Sequence, residues 1–403
     1  MSWQVDDVPA WLIDEVGKTL VRSGYRPEAA VVYKALLVNK RKRSARDPTD
    51  VQAQRDLSVS LNKIGTLLLR AGDTGSASDA FNEALTISRA LAERDPTDVQ
   101  AQRDLSVSLN KIGTLLLRAG DTGGTSDVFN ESLTIGRNLA ERDPTDVQAQ
   151  RELSVSLNKV GDLLLREGNT GGAGGVFNES LTINRARAER DPTDMQVQRD
   201  LSVSLEKIGD LLLRTGDTGG ASDVFNESLT INRTLAERDP TDMRVQRDLA
   251  VSLEKIGDLL LRAGDTGGAS DAFNESLTIN RARAERDPTD ILVQRDLSVS
   301  LEKIGDLLLR AGDTGGAGDV FNESLTIRRT LAERDPTDVQ AQRDLVISYV
   351  KGAECDPKIA VEYYTEALSL VSRLAEENKL ATEDHWMPAE LERLIKGINI
   401  SGQ

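Results

Sequence analysis

Apolar residues recur along this chain in two alternating stripes, each with the period of a helix. From Val51 to Ala71, Leu57, Leu61, Ile64 and Leu68 stand four, three and four residues apart, one face of an amphipathic helix. Gly72 follows, where a left-handed residue would stop that helix, and Asp73 or Thr74 can cap the next one. From there to Glu93 a second stripe runs through Ala77, Phe81, Ala84, Leu85, Ser88 and Leu91. Asp95-Pro96-Thr97-Asp98 then ends this helix and opens another. Either Asp95 caps it with Pro96 at the first helical position, or Thr97 or Asp98 is the cap. The pattern predicts two antiparallel helices joined by short turns.

The pair repeats. Asp-Pro-Thr-Asp starts at Asp47, Asp95, Asp143, Asp191, Asp239, Asp287 and Asp335, each start 48 residues after the last. A fixed period of this length marks a stacked-repeat architecture, so the expected fold is all-α, an α-solenoid of antiparallel helix pairs. Residues 47–334 hold six complete copies. Residues 1–46 read as an N-terminal capping repeat with a shortened first helix. There Val16, Gly17, Leu20, Gly24, Ala29 and Tyr33 take the places of Ile64, Gly65, Leu68, Gly72, Ala77 and Phe81. Residues 335–381 read as a degenerate C-terminal repeat, with Ala360, Tyr364 and Ala367 for Ala77, Phe81 and Ala84. Residues 382–403 read as a closing helix carrying Leu391, Leu394, Ile395 and Ile398 on one side. Trp3, Trp11 and Trp386 all lie in these ends and are expected to pack the caps.

Leu61, Ile64, Gly65, Leu68, Ala77, Phe81 and Ala84 keep the spacing of the tetratricopeptide consensus, with Leu for the usual aromatic at two places. The chain thus resembles the tetratricopeptide-repeat family over nearly its whole length. That consensus has about 34 residues, and the added residues fall evenly on the two helices. Seven residues are two helical turns, or about 10 Å, so each helix lengthens without rotating its apolar face. The long repeat is similar to those of bacterial tetratricopeptide proteins and, less closely, of kinesin light chains. The resemblance implies a right-handed superhelix whose first helices line a concave groove. It also implies a scaffold that binds a protein or peptide partner there.

Carried over by position, the groove residues of repeat one are Asn62, Thr66 and Leu69 or Arg70, with Arg55 on the added turns. Asn110, Thr114 and Arg118 follow in repeat two and Asn158 in repeat three. Amides in such a ladder offer donor and acceptor to an extended backbone. The ladder changes halfway: Asn gives way to Glu206, Glu254 and Glu302, and Thr gives way to Asp162, Asp210, Asp258 and Asp306. These carboxylates are expected to select ligand charge, unless pairs such as Asp210 and Arg214, four residues apart, simply satisfy each other.

Other chemistry finds little support. With 29% charged residues and a formal net charge of −16, the chain disfavours nucleic acid and anionic membranes as partners. Lys40-Arg41-Lys42-Arg43 reads as a solvated helix end. Gly216-Asp217-Thr218-Gly219-Gly220 resembles a serine-protease nucleophile loop, but the one histidine, His385, lies far along the chain and no base is available. One His and one Cys, Cys355, cannot build a zinc site, so no metal, cofactor or catalytic residue is expected and the chain is not read as an enzyme. The N-terminus lacks a signal-peptide pattern and no apolar run approaches a membrane span, which makes a cytoplasmic location the expectation. Residues 1–46 are net basic and 335–403 net acidic, so head-to-tail self-association is the alternative function.

Overall fold

The computed structural model describes residues 15–17, 19–20, 26–377, 379–380 and 384–401; Trp3, Trp11 and Gly24 lie outside them. The described residues are helical and contain no strand. A first helix, α1 (Arg26–Arg46), precedes the six complete repeats. Their helix pairs are α2 (Val51–Arg70) with α3 (Thr74–Arg94), and α4 (Val99–Arg118) with α5 (Thr122–Arg142). They continue with α6 (Val147–Arg166) and α7 (Thr170–Arg190), then α8 (Met195–Arg214) and α9 (Thr218–Arg238). The last two are α10 (Met243–Arg262) with α11 (Thr266–Arg286), and α12 (Ile291–Arg310) with α13 (Thr314–Arg334). A shortened α14 (Val339–Cys355) pairs with α15 (Pro357–Glu376), and α16 (Met387–Ser401) follows. Helices adjacent in sequence pack on one another, as in α2 on α3, α7 on α8 and α15 on α16, which is an all-α solenoid. No helix among the described residues is long and apolar enough to cross a membrane.

The turns follow from a few side chains. Gly72 sits at φ 79°, and Asp73 N–H reaches back to the Leu68 carbonyl at 2.9 Å, so carbonyls at the end of α2 stay satisfied. Asp73, rather than Thr74, caps α3 by accepting from Ser76 N–H at 3.0 Å. In Asp-Pro-Thr-Asp the two aspartates divide the work. Asp95 Oδ1 accepts from Thr97 N–H and Oγ–H at 2.9 and 2.7 Å and shapes the turn. Asp98 accepts from Gln100 and Ala101 N–H at 2.8 and 3.1 Å and is the cap of α4. Pro96 therefore belongs to the turn and not to the first helical position. Arg142 then donates to the Thr97 carbonyl at 2.9 Å and ties the end of α5 to that turn.

The chain divides into two compact units, Met1–Leu115 with Thr122–Leu259, and Leu116–Asp121 with Leu260–Gln403. In the first, the stripe residues Leu57, Leu61, Ile64 and Leu68 are buried, as are Ala77, Phe81 and Ala84 opposite them. Each aromatic lies over a glycine of its partner helix. A Cβ built on Gly65 would stand 2.6 Å from Phe81 Cε1, and one on Gly161 2.3 Å from Phe177 Cε1. Gly17 stands in the same relation to Tyr33. In the second unit, Tyr349, Ala360, Tyr364, Ala367 and Leu391 share one core, with Leu394, Ile395 and Ile398 packed against it. Trp386 is 59% exposed, so it does not pack the cap as expected; the aliphatic side of α16 fills that role.

The glycine beneath the aromatic gives a direct test. Gly161→Ala should destabilise the protein by about 1–3 kcal/mol, because enclosed Phe177 cannot move aside. Gly171→Ala, with nothing within 4 Å of its added carbon, should be neutral or stabilise by up to about 1 kcal/mol. Urea titrations of both variants check this, and equal losses would refute it.

Candidate functional site

The apolar stripe of each first helix turns inward, which leaves the positions of Val59, Asn62, Lys63, Thr66 and Arg70 on another face of α2, three and four residues apart. In the first unit these residues, with Arg103, Val107 and Lys111 of α4 and Gln148 and Glu152 of α6, line a concave cavity of about 790 Å³. Asp242, Met243 and Arg244 at the start of α10 complete its wall. A second cavity of about 290 Å³ lies beside Asn110, Lys111, Thr114, Val155 and Lys159.

Not every residue expected in the groove is free to meet a ligand. The amide of Asn62 donates to Ser108 Oγ at 2.9 Å and that of Asn110 to Ser132 Oγ at 2.8 Å. Among the described residues, the side-chain Oδ1 atoms of Asn62, Asn110 and Asn158 are enclosed without a hydrogen-bond partner. These amides edge a buried seam of serines, linked within a repeat as in Ser58 to Ser88 at 2.7 Å and from one repeat to the next as in Ser88 to Ser108 and Ser132 to Ser156, both at 3.0 Å. Glu206 occupies the same position two repeats after Asn110 and accepts from Ser252 and Ser228 Oγ at 2.6 and 3.1 Å. Burial pushes its carboxyl up to about 7 despite those bonds. Glu302 accepts from Ser348 and Ser324 and pairs with Arg328 at 2.6 Å. Burial raises its pKa too, although Arg328 opposes the shift. Glu254 is half-buried at the equivalent place on α10.

The aspartates pair across repeats. Lys207 Nζ donates to Asp162 at 2.6 Å, Lys351 to Asp306 at 2.7 Å, and Lys255 to Asp210. The expectation of an Asp210–Arg214 pair within one helix is thus corrected: stacking brings the next repeat's lysine nearer than the arginine four residues on. Burial works against the Lys255 ammonium, yet Asp210 holds its pKa above the ordinary value. Asp258 lies at the equivalent position, half-buried. Repeats one and two carry Thr66 and Thr114 instead, and each hydroxyl donates to its own helix, to Asn62 and Asn110 carbonyls at 2.8 and 2.9 Å. Arg70 is half-buried on the cavity wall and Arg118 half-buried in the last turn of α4.

Two functional candidates escaped the sequence reading, Lys111 and Lys159. Among the described residues neither Lys111 nor Lys159 makes a hydrogen bond or a close ion pair; Lys159 Nζ lies 5.9 Å from the centre of the Phe129 ring and in the field of Asp162 on its own helix. Burial, with Lys159 and Arg70 nearby, lowers the Lys111 pKa to about 8. Burial lowers that of Lys159 as well; Asp162 on its own helix opposes the shift and Lys207 adds to it. The available signal was the threonine 45 residues before each lysine, where later repeats have aspartate.

Glu206 also fixes a pH dependence. Its folded-state pKa lies near 7 against an ordinary 4.5, so the cost of ionising it is absent at low pH and complete above 7. Asp248 adds to that cost and Lys255 reduces it. Glu206→Gln should therefore stabilise the protein more at pH 8 than at pH 5, by about 1–3 kcal/mol. Denaturant midpoints at the two pH values would show it; an equal effect at both would contradict it.

No family model and no curated protein matches the chain. Among solved structures it is similar to Rap protein complexed with Competence and Sporulation Factor, at 12% identity over 98% of this chain and 99% of that one, with a TM-score of 0.54. It is similar also to the apo form of RapI, at 12% identity over 81% of this chain and 100% of that one, with a TM-score of 0.52. BtubC (BKLC) from P. vanneervenii gives 16% identity over 63% of this chain and 90% of that one, with a TM-score of 0.45. At these identities the likeness is one of fold, and the fold is that of the tetratricopeptide-repeat proteins.

Proposed function

We propose that this protein is a protein-interaction scaffold and that the concave face of its first unit holds a polypeptide partner. The observation that carries the reading is the cavity of about 790 Å³ lined mainly by first-helix side chains of three consecutive repeats, with Tyr33 and Asp242 to Arg244 completing it. Its wall includes Asn62, Thr66 and Arg70, and the neighbouring cavity includes Asn110 and Thr114. The wall mixes exposed apolar and polar groups, as a binding site for a peptide chain requires. Support also comes from fold: Rap, solved with Competence and Sporulation Factor, is a full-length structural neighbour that carries a bound factor. The roles expected of the later carboxylates shift accordingly. Asp162, Asp210 and Asp306 hold neighbouring repeats together, and the ligand meets repeats one to three.

Val107 lines both cavities and is 40% exposed, so it can be enlarged without disturbing the core. With a partner captured by the intact chain, Val107→Trp should weaken its binding at least about tenfold by filling the groove. Asp271→Asn, an exposed change on a second helix, should leave binding unaltered. The reverse pattern in calorimetric titrations would move the site off the concave face.

A further inference from the structure

We propose that the ligand of this groove is an acidic polypeptide segment whose carboxylates neutralise Lys111 and Lys159. The inference rests on the groove reading above and adds the chemistry of the occupant. One lysine stands at the same place in every complete repeat, three residues before the position that is threonine in repeats one and two and aspartate afterwards. Lys207, Lys255 and Lys351 each meet the aspartate of the repeat before them. Lys111 and Lys159 follow repeats with Thr66 and Thr114, whose hydroxyls are committed to their own helices. A single residue change supplies the counter-charge elsewhere, and it is missing at two consecutive repeats on the walls of the cavities.

Half-burying two ammonium groups within each other's field is unfavourable until an anion arrives. Glu152 shares their wall but is engaged elsewhere, with Arg103 at 3.4 Å and Gln148 at 2.7 Å. A second feature singles out the same repeats. Val107 and Val155, equivalent positions one repeat apart, are 40% and 38% exposed. Apolar and cationic groups thus recur together at the repeat spacing, which suits an extended chain bearing both acidic and apolar side chains. A bare anion would use the lysines and leave the valines uncovered. Nucleic acid would have to approach a chain of net charge −16.

The test uses the full chain and a short fluorescent peptide of alternating glutamate and leucine, with a glutamine-for-glutamate peptide and inorganic phosphate as comparisons. The glutamate peptide should bind at least about tenfold more tightly than the glutamine one, and added salt should weaken it. The double variant Thr66→Asp, Thr114→Asp gives Lys111 and Lys159 the internal partner that later repeats have. It should raise the melting temperature and lower affinity for the glutamate peptide about tenfold or more. Lys111→Gln with Lys159→Gln should lower affinity similarly and serves if the first variant folds poorly. Asp162→Thr should free Lys207 and tighten binding. Equal affinity for both peptides, or wild-type binding by both double variants, would overturn the proposal. So would phosphate that binds as tightly as the peptide. If Val107→Trp still blocks a captured partner while the charge variants do not, the groove stands and only its acidic ligand falls.

Discussion

Stacking identical units imposes one constraint on everything else: a residue chosen once recurs as a column, so any charge faces its own kind at every interface. The columns are stable only when a column of opposite sign is interleaved. Two such pairings are built here. Lysine meets the aspartate 45 residues earlier, as in Lys207 with Asp162, and arginine meets the aspartate 49 residues later, as in Arg55 with Asp104 at 2.7 Å and Arg151 with Asp200 at 2.9 Å. Both spacings fall within three residues of the 48-residue period, so both pairings reach a neighbouring repeat. Where the pattern is broken, at Thr66 and Thr114, Lys111 and Lys159 meet no such aspartate on the walls of the two cavities.

Packing obeys the same logic with less freedom. Phe81, Phe129, Phe177, Phe225, Phe273 and Phe321 are all fully buried. The glycine under Phe81 or Phe177 sets how near the two helices of its pair can come. That approach brings the serines of adjoining helices within hydrogen-bonding distance of one another. The polar seam therefore depends on an apolar detail, and a bulkier residue at Gly161 would disturb both.

The fold was legible because its signals are local and repeated: the helical period of Leu57 to Leu68, the glycine stop at Gly72, the fixed return of Asp-Pro-Thr-Asp. The choice between Asp95 and Asp98 as cap was not, since both carboxylates can accept a backbone N–H and only backbone direction decides. The groove was half legible. The positions of Asn62, Thr66 and Arg70 were carried over from the family resemblance and not from the period of the helix, and all three line the cavity. Which charges are spent inside depends on contacts between residues 45 or 49 apart, and a reading confined to one helix cannot see them. Asp210 illustrates this, since its partner within the helix was visible and its actual partner, Lys255, was not.

The serine seam has a further consequence for how such a chain changes over time. A hydroxyl is amphoteric: it accepts from the Asn62 amide at Ser108, and it donates to the Glu206 carboxylate from Ser228 and Ser252. One lining thus accommodates a neutral amide in one repeat and an anion in another with the backbone unchanged. Freshly duplicated copies can drift in charge at that position while the joint between them stays intact. The hydroxyls keep the inheritance of the scaffold separate from the evolution of its surface.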